Sequence, residues 1–330
     1  MKVLLTGGAG YIGSHVNKLL NSKGIETVVL DNLQHGHAEA VKWGRLIEAD
    51  LLDYNTLNKV FSEHAFDAVL HFAAYIFVGE SVREPEKYYR NNLMGGLNLL
   101  RAMRANSVDR IIFSSTAAVY GVPSQVPIPE EHPVAPINPY GWSKLTLERM
   151  IADYCLAYGW RSIIFRYFNA AGADPGGEIG EKHDPENHLV PLLLKAIIDP
   201  QRSLTVYGTD YDTPDGTCIR DYIHVMDLAD AHWLGLARVM ENGTGRDGCC
   251  EIFNIGNGNG FSVREVIDSA ARVTGQTPAI TYGTRRAGDA PSLVAQSSRL
   301  KEELGWKPRH DDLDKIIADA WRWEQKMSGE

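Results

Sequence analysis

The residues of this chain best suited to chemistry are Tyr140-Gly-Trp-Ser-Lys144 and, upstream at the end of a strand-like run, Ser114-Ser115-Thr116. Residues four apart on a helix share a face, so Tyr140 and Lys144 can reach one reacting group together. A phenol titrates near ~10 and cannot act as a base at neutral pH unless its anion is stabilised. A positive charge at Lys144 supplies part of that stabilisation, and lowering the phenol by roughly three units corresponds to about 4 kcal/mol. Thr116 can hydrogen-bond the reacting hydroxyl. The trio predicts proton transfer at a hydroxyl-bearing carbon.

The elements that would position such a trio begin at the N-terminus. Met1–Gly13, MKVLLTGGAGYIG, is a short apolar strand running into glycines spaced Gly7-x-x-Gly10-x-x-Gly13. Gly7 permits a tight turn, Gly10 lets backbone approach a pyrophosphate, and Gly13 lets the next helix sit close to the sheet. That helix would aim free N–H groups and its positive dipole end at the anion. The helical run Tyr11–Lys23 stops at Gly24, and a second strand, Thr27–Leu30, ends at Asp31, the distance expected for a ribose-binding acid. A carboxylate accepts both hydroxyls of that ribose but repels a 2′-phosphate, so NAD is favoured over NADP. An oxidised nicotinamide would add its positive charge to that of Lys144 beside the phenol. Arg45–Ala49 reads as a strand ending in Asp50-Leu51, placed to flank an adenine, and Ala68–His71 runs into Phe72-Ala73-Ala74, small enough to leave a cofactor room.

Bulk properties exclude several classes. The 330 residues are 44% hydrophobic, enough for a large core, and the length suggests two domains or one elaborated domain. A net charge of −9 gives no basic footprint for nucleic acid. Four cysteines show neither metal-ligand spacing nor a disulfide framework. No apolar run approaches a membrane span and no signal peptide precedes the first strand, so a reducing cytoplasm is expected. The eleven histidines are scattered, with His35 and His37 in a polar loop; they read as solvated surface, and no metal is expected.

Strand-like Arg110–Ser114 and Ser162–Tyr167 alternate with helical Tyr88–Ala105 and Tyr140–Tyr158, which predicts a doubly wound parallel sheet of the Rossmann type. Pro123–Pro139 reads as a loop over the carboxyl edge of that sheet, where such folds bind ligands. After Asn169 the chain turns to glycine-rich, polar Gly172–Gly180 and shorter strands. A cofactor domain over 1–168 and a smaller α/β substrate domain over 169–330 are expected, with part of 218–240 returning to the first. Ser297–Leu304 and Asp311–Gln325 read as amphipathic covering helices.

Beyond GGAGYIG and YGWSK, the segments HFAAYIFVGESV, FSSTAAVYG, RYFNAAG, DGTCIRDYIHVMDLADAH and RRAGD are similar to those of the extended short-chain dehydrogenase/reductases. The chain most resembles their UDP-hexose 4-epimerases, essentially along its whole length. The resemblance implies interconversion of UDP-glucose and UDP-galactose by C4 oxidation, rotation of the 4-keto sugar and re-reduction, with Tyr140 as acid/base, and it implies a homodimer. It also assigns Tyr11, Ile12, Asn32, Asn91 and Phe168 to the NAD side, beside the residues already named. Asn169, His188 and Leu189 would contact the UDP portion, Tyr207 the uracil, Arg220 and Arg286 the diphosphate, and Asp289 a ribose hydroxyl. Two guanidinium forks match a charge near −2 on their own chemistry. Leu293 falls at the gate of the hexose pocket, which leaves UDP-N-acetylhexosamines or UDP-pentoses open as substrates. Related dehydratases and decarboxylases carry acids just after the strand hydroxyl, where this chain has Ala117 and Ala118, so elimination lacks its catalyst. A non-catalytic NAD sensor is the remaining alternative, and retention of both Tyr140 and Lys144 speaks against it. The chain departs from family patterns at Ile76, where some members carry lysine, and at His188, where others carry asparagine.

Overall fold

A computed structural model describes residues 1–241, 248–286 and 289–329. Its centre is a sheet of seven strands: β1 (Lys2–Thr6), β2 (Glu26–Asp31), β3 (Arg45–Glu48), β4 (Ala68–His71), β5 (Arg110–Thr116), β6 (Arg161–Tyr167) and β7 (Cys250–Ile255). They lie in the order β3-β2-β1-β4-β5-β6-β7, every neighbouring pair parallel. The order reverses between β1 and β4, and at such a point the carboxyl ends of the strands open a crevice.

Alternation along the strands explains why helices cover both faces. Val3 and Leu5 of β1 join one buried cluster with Val16 and Leu20 of the helix Tyr11–Ser22 and Leu228, Leu236 and Val239 of the helix Val225–Met240. Leu4 points the other way, into a cluster with Leu57, Leu99, Met103, Leu147 and Ile151 from the helices Tyr54–Glu63, Gly95–Ala105 and Pro139–Tyr158. A strand buried on both faces reads as a continuous apolar run, as Val3–Leu5 does. A third cluster, away from this sheet, joins Leu193 and Ile197 of Leu189–Ile198, Val266 and Ala270 of Val263–Thr274, and Ile316, Ile317 and Ala320 of Leu313–Ser328.

The structure corrects the expected organisation in three places. β7 comes from Cys250–Ile255, so the chain after 168 contributes a strand to the central sheet as well as the returning helix Val225–Met240. The expected helix Tyr88–Ala105 is helical throughout but not regular: it starts earlier, at Pro85, and carries a π segment at Tyr89–Met94 between the α-helical Pro85–Tyr88 and Gly95–Ala105. There Asn92 turns its side chain inward, accepting from the Tyr75 N–H at 2.9 Å and donating to the Tyr75 carbonyl at 3.1 Å and Ser143 Oγ at 3.0 Å. Those long-range bonds compete with the regular helical ladder. The histidines are not uniformly solvated either, since His15, His71, His224 and His232 are buried.

Candidate active site

The helix Pro139–Tyr158 begins where local chemistry says it should. Asn138 accepts from the Gly141 N–H at 2.8 Å and Pro139 occupies the first turn, while Gly159 closes the helix with φ +71°. Tyr140, Lys144 and Glu148 therefore follow one another at four-residue intervals on one buried face. β5 ends at Thr116, whose hydroxyl accepts from the Ala118 N–H at 3.1 Å and hydrogen-bonds the Tyr140 phenol. Lys144 Nζ donates to the Ser114 carbonyl at 2.7 Å, tying helix to strand.

The electrostatics differ from a phenol simply lowered by Lys144. Burial pushes Tyr140 up to about 12, and the Thr116 hydrogen bond offsets this only in part. Burial lowers Lys144 to about 7, with Glu148 holding it up. The protein by itself disfavours both charges, because the helix and sheet that align the groups also remove their water.

Behind them lies a network the sequence reading missed. Arg166 donates through Nε at 3.1 Å and Nη2 at 2.7 Å to the two Glu148 oxygens, and through Nη1 at 3.0 Å to the Tyr120 hydroxyl. Tyr120 in turn donates to Asn254 Oδ1 at 2.7 Å, and Ser115 Oγ donates to Glu148. Such a fork, satisfied on every side, locks β5, β6, β7 and the Tyr140 helix to one another. Its one signal was Glu148, the next step of the four-residue series; Arg166 is brought to it only by β5–β6 pairing.

The glycine turn fits a dinucleotide pyrophosphate. Gly7 has φ +72°, and a Cβ there would lie 2.5 Å from the Ala73 backbone nitrogen; a Cβ on Gly13 would lie 2.4 Å from the Gly7 oxygen. The helix Tyr11–Ser22 has no side-chain cap and no acid in its first turn, so its N–H groups remain available to an anion. Asp31, at the end of β2, accepts from the Ala9 N–H at 3.0 Å and the Leu33 N–H at 2.9 Å. A carboxylate has about four acceptor sites, so two are left for a ribose. Burial raises the Asp31 pKa against those two N–H bonds. Asn32 donates to Asp50 at 3.0 Å, joining the ends of β2 and β3.

One cavity of about 1200 Å³ gathers nearly all the residues singled out from the sequence. Its cofactor side is lined by Gly7, Gly10, Tyr11, Ile12, Gly13, Asp31, Asn32, Asp50, Leu51, Phe72, Ala73, Ala74, Asn91 and Phe168. Thr116, Tyr140 and Lys144 follow, and beyond them Asn169, His188, Leu189, Tyr207, Arg220, Arg286 and Asp289. Arg286 stacks over Tyr207 at 4.1 Å; Arg220 donates to the Ile219 and Ala290 carbonyls at 2.8 and 2.9 Å and lies 3.5 Å from Asp289. Ala287 and Gly288 of the RRAGD group lie outside the described residues. Leu293 is the exception to the gathering. It pairs in register with Arg220 and packs against the cluster Ala117, Val119, Tyr120 and Ile128, behind the Thr116 turn, so it does not line the cavity. His71, by contrast, was not singled out: its Nδ1 lies 2.7 Å from Thr6 Oγ1, and burial lowers it to about 3.

The chain is similar to known proteins along nearly its whole length. The NAD dependent epimerase/dehydratase family matches residues 3–256. UDP-glucose 4-epimerase of Halalkalibacterium halodurans is 47% identical over 326 residues, 99% of this chain and 96% of that protein. The UDP-glucose 4-epimerase of Brucella ovis, solved in complex with NAD, superposes with a TM-score of 0.92 at 50% identity, covering 97% of each chain. That of Bifidobacterium longum, in complex with NAD+ and UDP, superposes with a TM-score of 0.93 at 37% identity, covering 99% of this chain and 98% of its own. The chain belongs to the NAD dependent epimerase/dehydratase family, among its UDP-glucose 4-epimerases, and its cofactor is NAD.

Proposed function

We propose that this protein interconverts UDP-glucose and UDP-galactose by inverting C4 of the hexose. The observation that carries the reading is that one cavity holds the dinucleotide turn, the Thr116–Tyr140–Lys144 trio and two arginines suited to a diphosphate. Bound NAD supplies a hydride acceptor and donor and, when oxidised, a positive charge that favours the Tyr140 phenolate. Tyr140 takes the C4 hydroxyl proton and, once the 4-keto sugar has turned so that C4 is re-reduced on its opposite face, returns a proton to the C4 oxygen, while Thr116 orients that hydroxyl. Lys144, tied to the Ser114 carbonyl, is placed to hold the nicotinamide ribose and favour the phenolate. Arg220 and Arg286 anchor the diphosphate, Tyr207 flanks the uracil, Asn169, His188 and Leu189 contact the UDP portion, and Asp289 accepts from its ribose. The sugar between these anchors keeps the freedom to turn that inversion requires. The turn after β5 carries Ala117 and Ala118, so no carboxylate stands there to promote elimination from a 4-keto sugar.

The test is to incubate purified protein separately with UDP-glucose and UDP-galactose and resolve the products. Conversion of each into the other is expected, with NAD released on denaturing the protein. No turnover of either, or formation of a dehydrated sugar, rejects the reading. Screening UDP-N-acetylhexosamines and UDP-pentoses alongside defines the sugar range.

A homodimer is part of the same proposal. The neighbouring helices Gly95–Ala105 and Pro139–Tyr158 expose Leu97, Trp142 and Leu156, the last at 83%, and apolar side chains exposed along two neighbouring helices suit burial against a second copy. Sedimentation at twice the chain mass, lost in Leu156→Glu, is the expected result. We place the protein in the cytoplasm, which suits four cysteines that form no disulfide among the described residues; no helix among those residues is long and apolar enough to cross a membrane.

A further inference from the structure

The loop before the helix Leu189–Ile198 brings His188, which the resemblance assigned to the UDP portion, together with Glu181, His183 and Glu186, which the sequence did not single out. Each offers one ligand atom, and the four atoms lie within 4.8 Å of one another. We propose that these residues form a binding site for a divalent transition metal of the zinc type, which staples this loop to the start of the helix.

Hydrogen bonding alone leaves the cluster incomplete. His183 Nδ1 approaches Glu181 Oε1 at 3.1 Å and Glu186 Oε1 at 3.7 Å, yet it is buried without hydrogen-bond geometry to any partner. Glu186 Oε1 accepts the Asn187 and His188 N–H groups at 2.9 and 3.0 Å, whereas its Oε2 is buried with no hydrogen-bond partner. The Glu186 side chain is only 6% exposed, and its Oε2 stands 3.8 Å from Lys195 Nζ. Glu181 is 5% exposed, and nearby Glu324 is a further buried carboxyl group, pushed up to about 7 by burial and, less, by Glu186 and Glu181. Burying anionic oxygen without a full set of partners is costly, and one dication satisfies both orphaned atoms together.

The donor set selects the ion. Two imidazole nitrogens with two carboxylate oxygens suit zinc better than calcium or magnesium, which prefer oxygen alone. Four protein ligands close a tetrahedral shell, so the role is structural. His188 turns Nδ1 toward Glu181, leaving its other ring nitrogen to the cavity it lines. The metal would thus set the orientation of His188 and the backbone of Leu189. A second group, His224, His310 and Asp319, is a useful contrast. There the Asp319 oxygens are taken by Lys315 at 3.0 Å and Arg322 at 2.8 Å, and His224 Nδ1 accepts from the Met226 N–H.

The test titrates ZnCl2, and in parallel CoCl2, into chelator-treated protein carrying its NAD, following bound metal, the cobalt visible spectrum and the melting temperature. Saturation near one equivalent per chain, a tetrahedral cobalt spectrum and a higher melting temperature are expected. His183→Gln and Glu186→Gln should each weaken zinc binding at least about tenfold and lose the zinc-dependent melting shift, whereas His310→Gln retains both. Melting of each variant in chelator, compared with chelated wild type, separates a lost ligand from a lost fold. Non-saturating uptake by wild type, unchanged binding in both loop variants, or loss in His310→Gln alone overturns the site.

Discussion

The two ends of the cavity are built differently. At the cofactor end the ligand-facing surface is mostly backbone and strand termini: the Gly7 turn, the uncapped helix at Tyr11, and Asp31 held by two main-chain N–H groups. At the sugar-nucleotide end it is made of side chains on short, separately paired strands, with Tyr207 on a strand paired to Ile280–Gly283 and Arg220 on one paired to Ser292–Leu293 and Phe261–Ser262. A backbone cradle tolerates almost no added atom and is specified within a few residues. A side-chain clamp can lose one member and still function, and its parts are joined only by the fold.

Between the ends stands the group whose loss should cost most. Tyr140→Phe removes only the phenolic oxygen, so turnover should fall by about 10²- to 10⁴-fold while NAD and UDP still bind; near-normal turnover would remove Tyr140 from the chemistry. A Cβ at Gly13 meets the Gly7 carbonyl, so Gly13→Ala should cost about 1–3 kcal/mol of NAD affinity and leave UDP affinity little changed. Equal losses for both ligands, by calorimetry, would erase the contrast between the ends. Arg286→Ala should do the converse, weakening UDP about tenfold as one charge-assisted contact is lost. Arg286→Lys should recover only part of this, because an ammonium neither forks onto a diphosphate nor stacks on Tyr207 as a guanidinium does.

Lys144 offers a test through stability. Its folded pKa, about 7, lies below the ordinary lysine value near ~10.4. As pH falls between those values the unfolded chain takes up a proton that the native protein does not, so stability declines with falling pH over that window and levels off below about 7. Lys144→Met removes this penalty and should raise stability at neutral pH by about 1–3 kcal/mol, less what the abandoned Ser114 carbonyl costs, while turnover drops and its pH profile moves upward. Thermal melts from pH 6 to pH 10 that run parallel for both proteins would contradict it. The smallest effect is expected at Leu293. Because it packs behind the Thr116 turn, Leu293→Tyr should lower turnover of UDP-galactose and UDP-N-acetylgalactosamine alike, by a few-fold, through overpacking. A loss confined to the N-acetylated sugar would restore the gating role that its position in the sequence suggested.

What the sequence determined by itself was whatever depends on neighbours within a turn or a strand. Glycine spacing after an apolar strand, Asp31 at the end of the next, and the four-residue interval from Tyr140 to Lys144 are local, and each stands where the pattern put it. Elements with a single period were legible for the same reason, as the helix Pro139–Tyr158 is from Tyr140–Tyr158. The tertiary structure decided what depends on who packs against whom. Asn92 sits in the π segment of its helix with its side chain turned to Tyr75 and Ser143, partners that only the fold brings within reach. Arg166 met Glu148 across a strand pairing, β7 returned from beyond residue 249 to the central sheet, and Leu293 was drawn into a small core. The protonation of Tyr140 and Lys144 belongs to this second class: desolvation is a property of the whole surrounding fold, so residue type and spacing single out the phenol and the amine while burial is the main influence on their pKa values.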